Sequence, residues 1–201
     1  KEEYYFNSAV SILLVKVDTE YHFLFQQRAS EMKQSGEICF PGGKYEPETD
    51  ESYRQTAIRE TIEELGIKEE KVEITGRLNS IVAPMGATVD SFISVLNIDN
   101  LDELSVNEDE VAEVFTIPVS YFEEHEPDNY KVRLEIQPSY TDEKEEKKEL
   151  FPAKKLGLPE RYTKPWGGKK YDVYVYELDN KIIWGITARL IRECVRKLNN
   201  N

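Results

Sequence analysis

The sequence predicts a mixed α/β fold of one domain. Three observations favour it: short β-branched apolar runs, two longer segments of helical period, and the order of strands, helix, strands and helix. The 201 residues suit one domain with an elaboration, and 39% hydrophobic residues with 11% aromatic ones are enough for a core. We expect a single domain over residues 1–201, within which residues 139–170 form an exposed insertion.

The first strands are predicted from apolar, β-branched stretches. Residues 8–17 (SAVSILLVKV) form a central strand buried on both faces, and residues 21–27 (YHFLFQQ) form its hairpin partner. Residues 37–40 form a short strand that leads into Gly42 and Gly43. Glycine there permits a close approach of the backbone to a helix or a ligand.

An amphipathic helix is predicted over residues 51–65, with Gly66 as its C-cap. Glu60, Glu63 and Glu64 gather on the side opposite the apolar residues, because positions three and four apart are neighbours on a helix surface. Carboxylates this close repel one another at neutral pH unless a cation lies among them. A hard divalent ion with oxygen ligands, Mg²⁺ or Mn²⁺, is the expected occupant.

The second half of the chain is predicted to complete the sheet and to end in a helix. Residues 139–170 are rich first in charge and then in Pro, Gly and Lys, which predicts an exposed and poorly ordered insertion. The strand before it alternates apolar and polar residues, as a half-buried strand does. The predicted strands are 71–82, 88–96, 108–117, 130–136, 171–178 and 181–184, and the predicted helices are 119–124 and 187–198.

Composition and charge argue against several classes of function. The net charge of −13 disfavours nucleic acid as a partner, since phosphate backbones need basic patches. The longest apolar run, residues 9–15, is too short to span a membrane. Cys39 and Cys194 lie far apart in apolar settings, which predicts reduced, buried thiols in a cytoplasmic protein. His22 and His125 are expected in structural or surface roles, which leaves carboxylates and metal as the catalytic resource.

A specific motif surrounds the predicted helix. Residues 59–67 (RETIEELGI), preceded by Gly43 and Glu51, resemble the Nudix box, G-x5-E-x7-R-E-U-x-E-E-x-G-U, where U is apolar. Thr61 replaces one apolar residue, and seven residues instead of five separate Gly43 from Glu51. A lengthened loop of this kind resembles the coenzyme A pyrophosphatase branch of the Nudix family.

Two further stretches resemble the same branch. Upstream of the box, Arg28-Ala29 is followed by residues 36–43 (GEICFPGG), and residues 183–188 (IWGITA) resemble the branch's entry to its last helix. The resemblance reaches from about residue 9 to residue 197. It implies a Nudix-like α/β/α sandwich with a mixed sheet, a catalytic loop–helix–loop and an insertion before the C-terminal helix.

The resemblance also implies a metal-dependent hydrolase that acts on a diphosphate. Glu60, Glu63 and Glu64 are the implied ligands of Mg²⁺ or Mn²⁺, and Glu63 and Glu64 also take catalytic roles. Arg59 lies four residues before Glu63 and is expected to orient that carboxylate. Nudix enzymes often recruit a further glutamate from outside the box as base or ligand, and Glu110 is the choice here. The candidates for that role are Glu108, Glu110 and Glu113.

Residues outside the three box glutamates are given further expected roles, and for some of them two alternatives stay open. Gly42 and Gly43 are expected to use their backbone to keep the loop tight at the substrate-binding side of the helix. Arg28 either meets substrate phosphates in a bidentate way or forms a surface salt bridge. Glu51 is either an N-terminal helix residue favoured by the dipole or an outer metal ligand. Trp166 is expected to cover a substrate or a subunit contact. Three aromatic residues are expected in the core: Phe115, Tyr121 and Trp184.

The leading hypothesis is hydrolysis of coenzyme A or a derivative to 4′-phosphopantetheine and adenosine 3′,5′-bisphosphate. The alternative is another Nudix substrate, such as a nucleoside triphosphate, ADP-ribose or a nucleotide sugar, because specificity in this fold lies in loops outside the box. A third hypothesis is a catalytically silent domain that senses nucleotides, which the complete set of box glutamates disfavours. The expected partner is a small-molecule diphosphate. Since family members commonly form dimers, a homodimer is an option.

Overall fold

A computed structural model of the protein describes residues 6–84 and 86–199. Met85, which lies in the predicted connection between two strands, falls outside the described residues. Among the described residues, no helix combines the length and the apolar character that a membrane crossing requires.

The chain divides into two compact units. The first comprises the described residues of Lys1–Asp128 and Tyr174–Asn201, and the second is Asn129–Val173. The second unit contains the predicted insertion, residues 139–170, and extends past it at both ends. The prediction of one domain over the whole chain stays a prediction.

Eight strands form the larger sheet, which lies in the first unit. Its strands are Phe6–Val17 (β1), Glu20–Arg28 (β2), Ile38–Cys39 (β3), Gly42–Lys44 (β4), Val72–Arg77 (β5), Ile81–Val82 (β6), Ala87–Leu96 (β7) and Val111–Pro118 (β8). The order along the sheet is β3-β2-β1-β7-β5, while β4 pairs with β1, β6 with β7 and β8 with β2. β1 and β7 run parallel and the other pairs are antiparallel, so the sheet is mixed, as predicted.

Helices cover both faces of this sheet. They are Tyr53–Leu65 (α1), Val119–Glu124 (α2) and Gly185–Leu198 (α3). On one face, Ala9 of β1 packs with Ala57 of α1; on the other, Ile12 of β1 shares a core cluster with Ile191 of α3. Because successive side chains of a strand point to opposite faces, one buried strand serves both layers. The predicted α/β/α class is confirmed.

The remaining strands include regular structure inside the predicted insertion. They are Asp128–Ile136 (β9), Ser139–Thr141 (β10), Lys147–Glu149 (β11), Trp166–Leu178 (β12) and Lys181–Trp184 (β13). β10 and β11 form an antiparallel hairpin, and β13, β12 and β9 form a three-stranded sheet.

The prediction that β9 is half-buried is wrong, since all nine of its residues are exposed. The start of β12 was also predicted five residues too late, because Gly167 and Gly168 masked the strand pattern.

Several elements of the first unit differ from the prediction, and three of these differences have a local cause. α1 begins at Tyr53 and not at Glu51, because Ser52 takes the N-cap position. The predicted strand over 71–82 is two strands, β5 and β6, with a register shift in β5 before Gly76. β4 was not predicted, because its Gly-Gly-Lys sequence has little β propensity and it forms only by pairing with β1.

Both cysteines and both histidines lie among the described residues, where the cysteines form no disulfide. Cys39 and Cys194 are free thiols, Cys194 buried and Cys39 partly exposed, and burial raises the pKa of both. His22 lies 3.3 Å from the Thr116 hydroxyl through Nδ1, and His125 stacks on a tyrosine ring with centroids 4.3 Å apart.

Candidate active site

The termini of α1 are fixed by local chemistry. The Gln55 backbone N–H donates to Ser52 Oγ at 3.3 Å, and Gly66 ends the helix in the left-handed region, with φ of 62°. A side chain at Gly66 would meet the Ser105 carbonyl oxygen at 1.9 Å, so glycine is required there. Glu51 lies before the helix, and its N–H donates to Gln55 Oε1 at 2.7 Å. The expectation that Glu51 is a helix residue is therefore wrong, and its role as an outer metal ligand stays a prediction.

The three box glutamates do not share one solvated face of α1. The side chain of Glu63 is 54% exposed and that of Glu60 is 17% exposed. Glu64 is only 4% exposed and lies on the buried side of the helix with Leu65. The prediction that all three lie opposite the apolar side is wrong for Glu64, since 100° separates it from Glu63 and turns it toward the sheet.

Two donors from outside α1 hold the buried Glu64 carboxylate. Gln26 Nε2 donates to Glu64 Oε2 at 2.8 Å, and the Gly42 backbone N–H donates to the same oxygen at 3.1 Å. Burial raises the pKa of Glu64 to about 7, and the nearby charges of Glu60 and Glu110 act in the same direction. The two hydrogen bonds oppose this shift because they favour the ionised form. Gln26 was not singled out from the sequence.

Gly42 and Gly43 allow the loop before α1 to pack against these carboxylates. A Cβ at Gly43 would lie 2.3 Å from the carboxyl carbon of Glu60. A Cβ at Gly42 would lie 2.4 Å from the Ala9 carbonyl oxygen, within β1. A side chain at Gly42 would clash with the β1 backbone, so glycine is required there, whereas a side chain at Gly43 would push the Glu60 carboxylate aside. Their contact with substrate stays a prediction.

Arg59 binds a residue that the sequence did not single out. Its Nε donates to Asp50 Oδ1 at 2.8 Å and its Nη2 to Asp50 Oδ2 at 3.0 Å, a bidentate pair. Asp50 is buried and also accepts from Thr56 Oγ1 at 2.8 Å and from the Glu46 N–H at 3.0 Å. These bonds, Arg59 first, lower the pKa of Asp50 to about 2, and the pKa of Arg59 is raised. The predicted contact with Glu63 is present, at 3.0 Å from Nη1.

The same arginine also reaches Glu60, whose carboxylate is crowded by negative charge. Arg59 Nη1 lies 2.8 Å from Glu60 Oε1. Burial raises the pKa of Glu60, Arg59 lowers it, and the charges of Glu63 and Glu110 raise it again. Four carboxylates are therefore coupled at this point: Glu60, Glu63, Glu64 and Glu110.

Of the three glutamates considered outside the box, the structure brings only Glu110 near it. Glu110 follows a loop before β8 and is among the charges that raise the pKa of Glu60 and Glu64. Glu113 pairs with Lys181 at 2.6 Å, and Glu108 is exposed to solvent. The position of Glu110 is fixed through its backbone, since its carbonyl accepts from the Ala29 N–H at 2.9 Å.

The donor set suits a hard divalent ion, although the ligands are not preassembled. Within the described chain, no group of three or more His, Cys, Asp or Glu is arranged to hold a metal ion as it stands. Arg59 instead occupies oxygens of Glu60 and Glu63. The available ligands are carboxylate oxygens that repel one another, which is the chemistry that Mg²⁺ and Mn²⁺ prefer. The chemistry of the donor set therefore fits such an ion, and Arg59 would have to release Glu60 and Glu63 for both to bind it.

Arg28 lies beside the glycine-rich stretch without a carboxylate partner among the described residues. Its Nε donates to the Lys33 carbonyl at 3.0 Å, and its charge lowers the pKa of Glu37 and Cys39 against the larger effect of burial. The structure thus shows no salt bridge of Arg28 within the described chain. The alternative of a phosphate contact stays a prediction.

The predicted aromatic positions are only partly correct. Phe115 stacks on Phe25 with ring centroids 5.6 Å apart, and Tyr121 packs edge-on against a core phenylalanine. Trp184 is 47% exposed, so the expectation that it lies in the core is wrong, because it faces outward at the end of β13. Trp166 packs against Tyr162 in the second unit, with centroids 5.5 Å apart, and its predicted covering role stays a prediction.

Comparison with known families identifies this arrangement. A sequence model described as the NUDIX domain matches residues 6–138, which include β1 to β9 and α1. The chain belongs to the Nudix family. In this Nudix domain, α1 is the helix of the Nudix box, and β4 (Gly42–Lys44) is the strand that precedes it in the chain.

Two curated relatives each match more than half of this chain. The chain is 42% identical over 120 residues to Nudix hydrolase 3 of Caenorhabditis elegans, covering 56% of this chain and 48% of the relative. It is 35% identical over 116 residues to the peroxisomal coenzyme A diphosphatase NUDT7 of Mus musculus, covering 57% of this chain and 48% of that protein. The chain thus spans about half the length of these relatives. The Nudix domain resembles the coenzyme A pyrophosphatases, as predicted.

A solved structure supports the fold. The crystal structure of a MutT/nudix family protein from Enterococcus faecalis matches with a TM-score of 0.55 at 16% sequence identity. The match covers 99% of this chain and 64% of that one. At this identity the likeness concerns the fold alone.

Proposed function

We propose that this chain is a divalent-metal-dependent Nudix hydrolase that cleaves the diphosphate bond of coenzyme A or a coenzyme A derivative. The products are 4′-phosphopantetheine and adenosine 3′,5′-bisphosphate. The observation that carries the hydrolase proposal is the coupling of four carboxylates around the glycine turn that precedes α1. The substrate proposal is supported by the lengthened loop, the GEICFPGG stretch and the resemblance to coenzyme A diphosphatases.

Glu60, Glu63 and Glu64 would hold Mg²⁺ or Mn²⁺ in this proposal. When bound, such an ion polarises the phosphoryl oxygens and lowers the pKa of the attacking water. Arg59 orients Glu63 and is itself kept in place by Asp50, so it can release a carboxylate without leaving the site. Gly42 and Gly43 keep the loop close enough for the backbone to reach Glu64.

The proposed roles of the outer residues follow from their surroundings. Glu110 would act as the base or the additional ligand, because its charge already reaches Glu60 and Glu64. Arg28 would bind a substrate phosphate in a bidentate way, because its guanidinium makes no ion-pair contact with a described carboxylate. The protein's substrate is a small-molecule diphosphate, while a homodimer and a cytoplasmic location stay predictions.

A substrate panel tests the proposal. The purified chain with Mg²⁺ or Mn²⁺ is assayed against coenzyme A, an acyl-coenzyme A, ADP-ribose, a nucleotide sugar and nucleoside triphosphates. We expect the highest kcat/KM for coenzyme A or its acyl derivative. Turnover of nucleoside triphosphates or ADP-ribose without turnover of coenzyme A would replace this substrate with the alternative Nudix class. Tight nucleotide binding with no turnover of any compound would indicate a sensor.

A further inference from the structure

Gln26 is a long polar side chain in a place that normally holds an apolar one. It is 1% exposed and follows Leu24 and Phe25 in β2, both of which are also fully buried. Glutamine is seldom fully buried in proteins, because both ends of its amide require partners. The burial of the Gln26 amide therefore requires a specific explanation.

Only one end of the Gln26 amide is satisfied. Its Nε2 donates to Glu64 Oε2 at 2.8 Å, whereas its Oε1 is buried and accepts no hydrogen bond from any described group. An ionised carboxylate can only accept, so in that form the NH₂ end must be the one that faces Glu64. Leaving the acceptor without a donor costs stability, and a methionine of similar length would avoid that cost. The amide at this position is thus explained by Glu64 and not by packing.

Both donors to Glu64 converge on one oxygen. Gln26 Nε2 and the Gly42 N–H bind Oε2, while no described group donates to Oε1. Two donors from different strands fix the plane of the carboxylate. Oε1 is then the atom that remains to be offered to a ligand.

The two donors are also neutral, which distinguishes them from the partner of the other box glutamates. Arg59 brings a positive charge to Glu60 and Glu63, and that charge competes with a cation. An amide donor orients a carboxylate and leaves its full negative charge available. Outer-shell partners of this kind set both the orientation and the affinity of a metal ligand.

We propose that Gln26 is a positioning residue that holds the Glu64 carboxylate by Oε2 so that Oε1 faces the divalent ion. The inference rests on the proposed function, because it assumes that Glu64 binds a metal. Gln26 itself touches neither the metal nor the substrate.

The test measures metal binding and stability separately, without substrate. Mn²⁺ binding to metal-free protein is followed by electron paramagnetic resonance for wild type, Gln26→Met and Glu64→Gln, and the melting temperature of each metal-free protein is recorded. We expect Gln26→Met to bind Mn²⁺ about 10- to 100-fold more weakly. Its melting temperature should stay close to that of wild type, because removing the unsatisfied acceptor offsets the loss of the hydrogen bond to Glu64. Raising the Mn²⁺ concentration should restore part of its turnover of coenzyme A.

Ser91→Ala is the matched control. The Ser91 hydroxyl is another buried polar atom without a described hydrogen-bond partner, and it lies in β7 outside the site. Its removal should leave the melting temperature close to that of wild type or raise it, and should leave Mn²⁺ affinity unchanged. If Gln26→Met does not fold, Gln26→Asn serves instead, since its amide falls one methylene short of Glu64.

The outcomes separate this inference from the proposed function. A Mn²⁺ site that is lost in Glu64→Gln but unchanged in Gln26→Met or Gln26→Asn would overturn the inference and leave the function standing. A lower melting temperature with unchanged Mn²⁺ affinity would show that Gln26 has a structural role only. If Glu64→Gln binds Mn²⁺ as wild type does, the metal assignment itself fails, and this inference fails with it.

Discussion

Arg59 binds three carboxylates at once, and its contacts explain how a cluster of acids persists in the protein without added cations. Asp50 takes the guanidinium in a bidentate pair, which leaves Nη1 to serve Glu60 and Glu63. The Asp50 pair is buried, whereas the Glu63 contact is half exposed and weak in water. We therefore expect a divalent ion to displace Arg59 from Glu60 and Glu63 and to leave its bond to Asp50 intact.

Replacing Asp50 should remove the bidentate ion pair that holds the Arg59 guanidinium in place. Asp50→Asn removes the charge that faces the guanidinium and is expected to lower the free energy of unfolding by about 1–3 kcal/mol. Chemical denaturation measures this loss. Glu48→Gln, in the same loop and exposed, is the control and should have a much smaller effect. Equal stability of Asp50→Asn and wild type would mean that the pair contributes nothing.

The same pair predicts a dependence of stability on pH. The pKa of Asp50 is about 2 in the folded protein and 3.8 ordinarily. A depressed pKa stabilises the folded state above the ordinary value, and this stabilisation is lost as the pH falls toward 2. The stability difference between wild type and Asp50→Asn should therefore be largest near neutral pH and should shrink between pH 4 and pH 2. A difference that is constant over that range would contradict the prediction.

Glu64 should show the opposite dependence on pH. Its pKa is raised from 4.5 to about 7, so the folded metal-free protein loses stability as the pH rises from 4.5 through 7. Glu64→Gln is then expected to be more stable than wild type at pH 8, by up to about 3 kcal/mol, and equally stable below pH 4.5. Melting curves of metal-free protein check this. Glu63→Gln, at a half-exposed position, should show no such gain.

Glu63 should be required for activity but not for folding. Its side chain is 54% exposed and its only described ion pair is with Arg59. Glu63→Gln is expected to reduce metal-dependent turnover at least about 100-fold with little change in melting temperature, because a proposed metal ligand is lost. Glu69→Gln, an exposed glutamate after α1, is the control. Full activity of Glu63→Gln would show that the metal assignment is wrong.

At the scale of elements, the site depends on the close approach of the glycine loop to α1. Gly43→Ala would place a methyl group 2.3 Å from the Glu60 carboxyl carbon, so Glu60 or the loop must move. We expect turnover to fall more than about 10-fold, since a displacement of about 1 Å costs far more than the added volume suggests. Gly76→Ala in β5 is the matched control, because its methyl group would meet Ile93 at 3.6 Å, an ordinary contact. Unchanged turnover in Gly43→Ala would contradict this account of the loop.

The local parts of the site could be predicted from the sequence, and the parts that need tertiary contacts could not. Spacing along one helix placed Arg59 next to Glu63, and Gly66 marked the helix end, because both depend on helical geometry alone. Gln26 and Asp50 were missed. Nothing in β2 indicates that one glutamine faces a helix 38 residues later, and nothing distinguishes Asp50 from the other acids of its loop.

At the scale of the whole molecule, the class of fold could be predicted from the alternation of strands and helices. The strands inside the insertion could not. The paired strands β10 and β11 have three residues each, and all three residues of β11 are charged, so propensity does not reveal them. The net charge of −13 also makes an anionic substrate surprising at first. A divalent ion at the proposed site would reverse the local field, which would reconcile an acidic protein with a diphosphate ligand.

The most direct test of the central claim is the identity of the products formed from coenzyme A. Wild-type protein and Glu64→Gln are incubated with coenzyme A and Mg²⁺ or Mn²⁺, with a chelated sample beside them, and the mixtures are analysed by chromatography and mass spectrometry. We predict equal amounts of 4′-phosphopantetheine and adenosine 3′,5′-bisphosphate from wild type, and neither product after chelation or from Glu64→Gln. Intact coenzyme A in the wild-type sample with metal, or equal cleavage after chelation, would contradict the account.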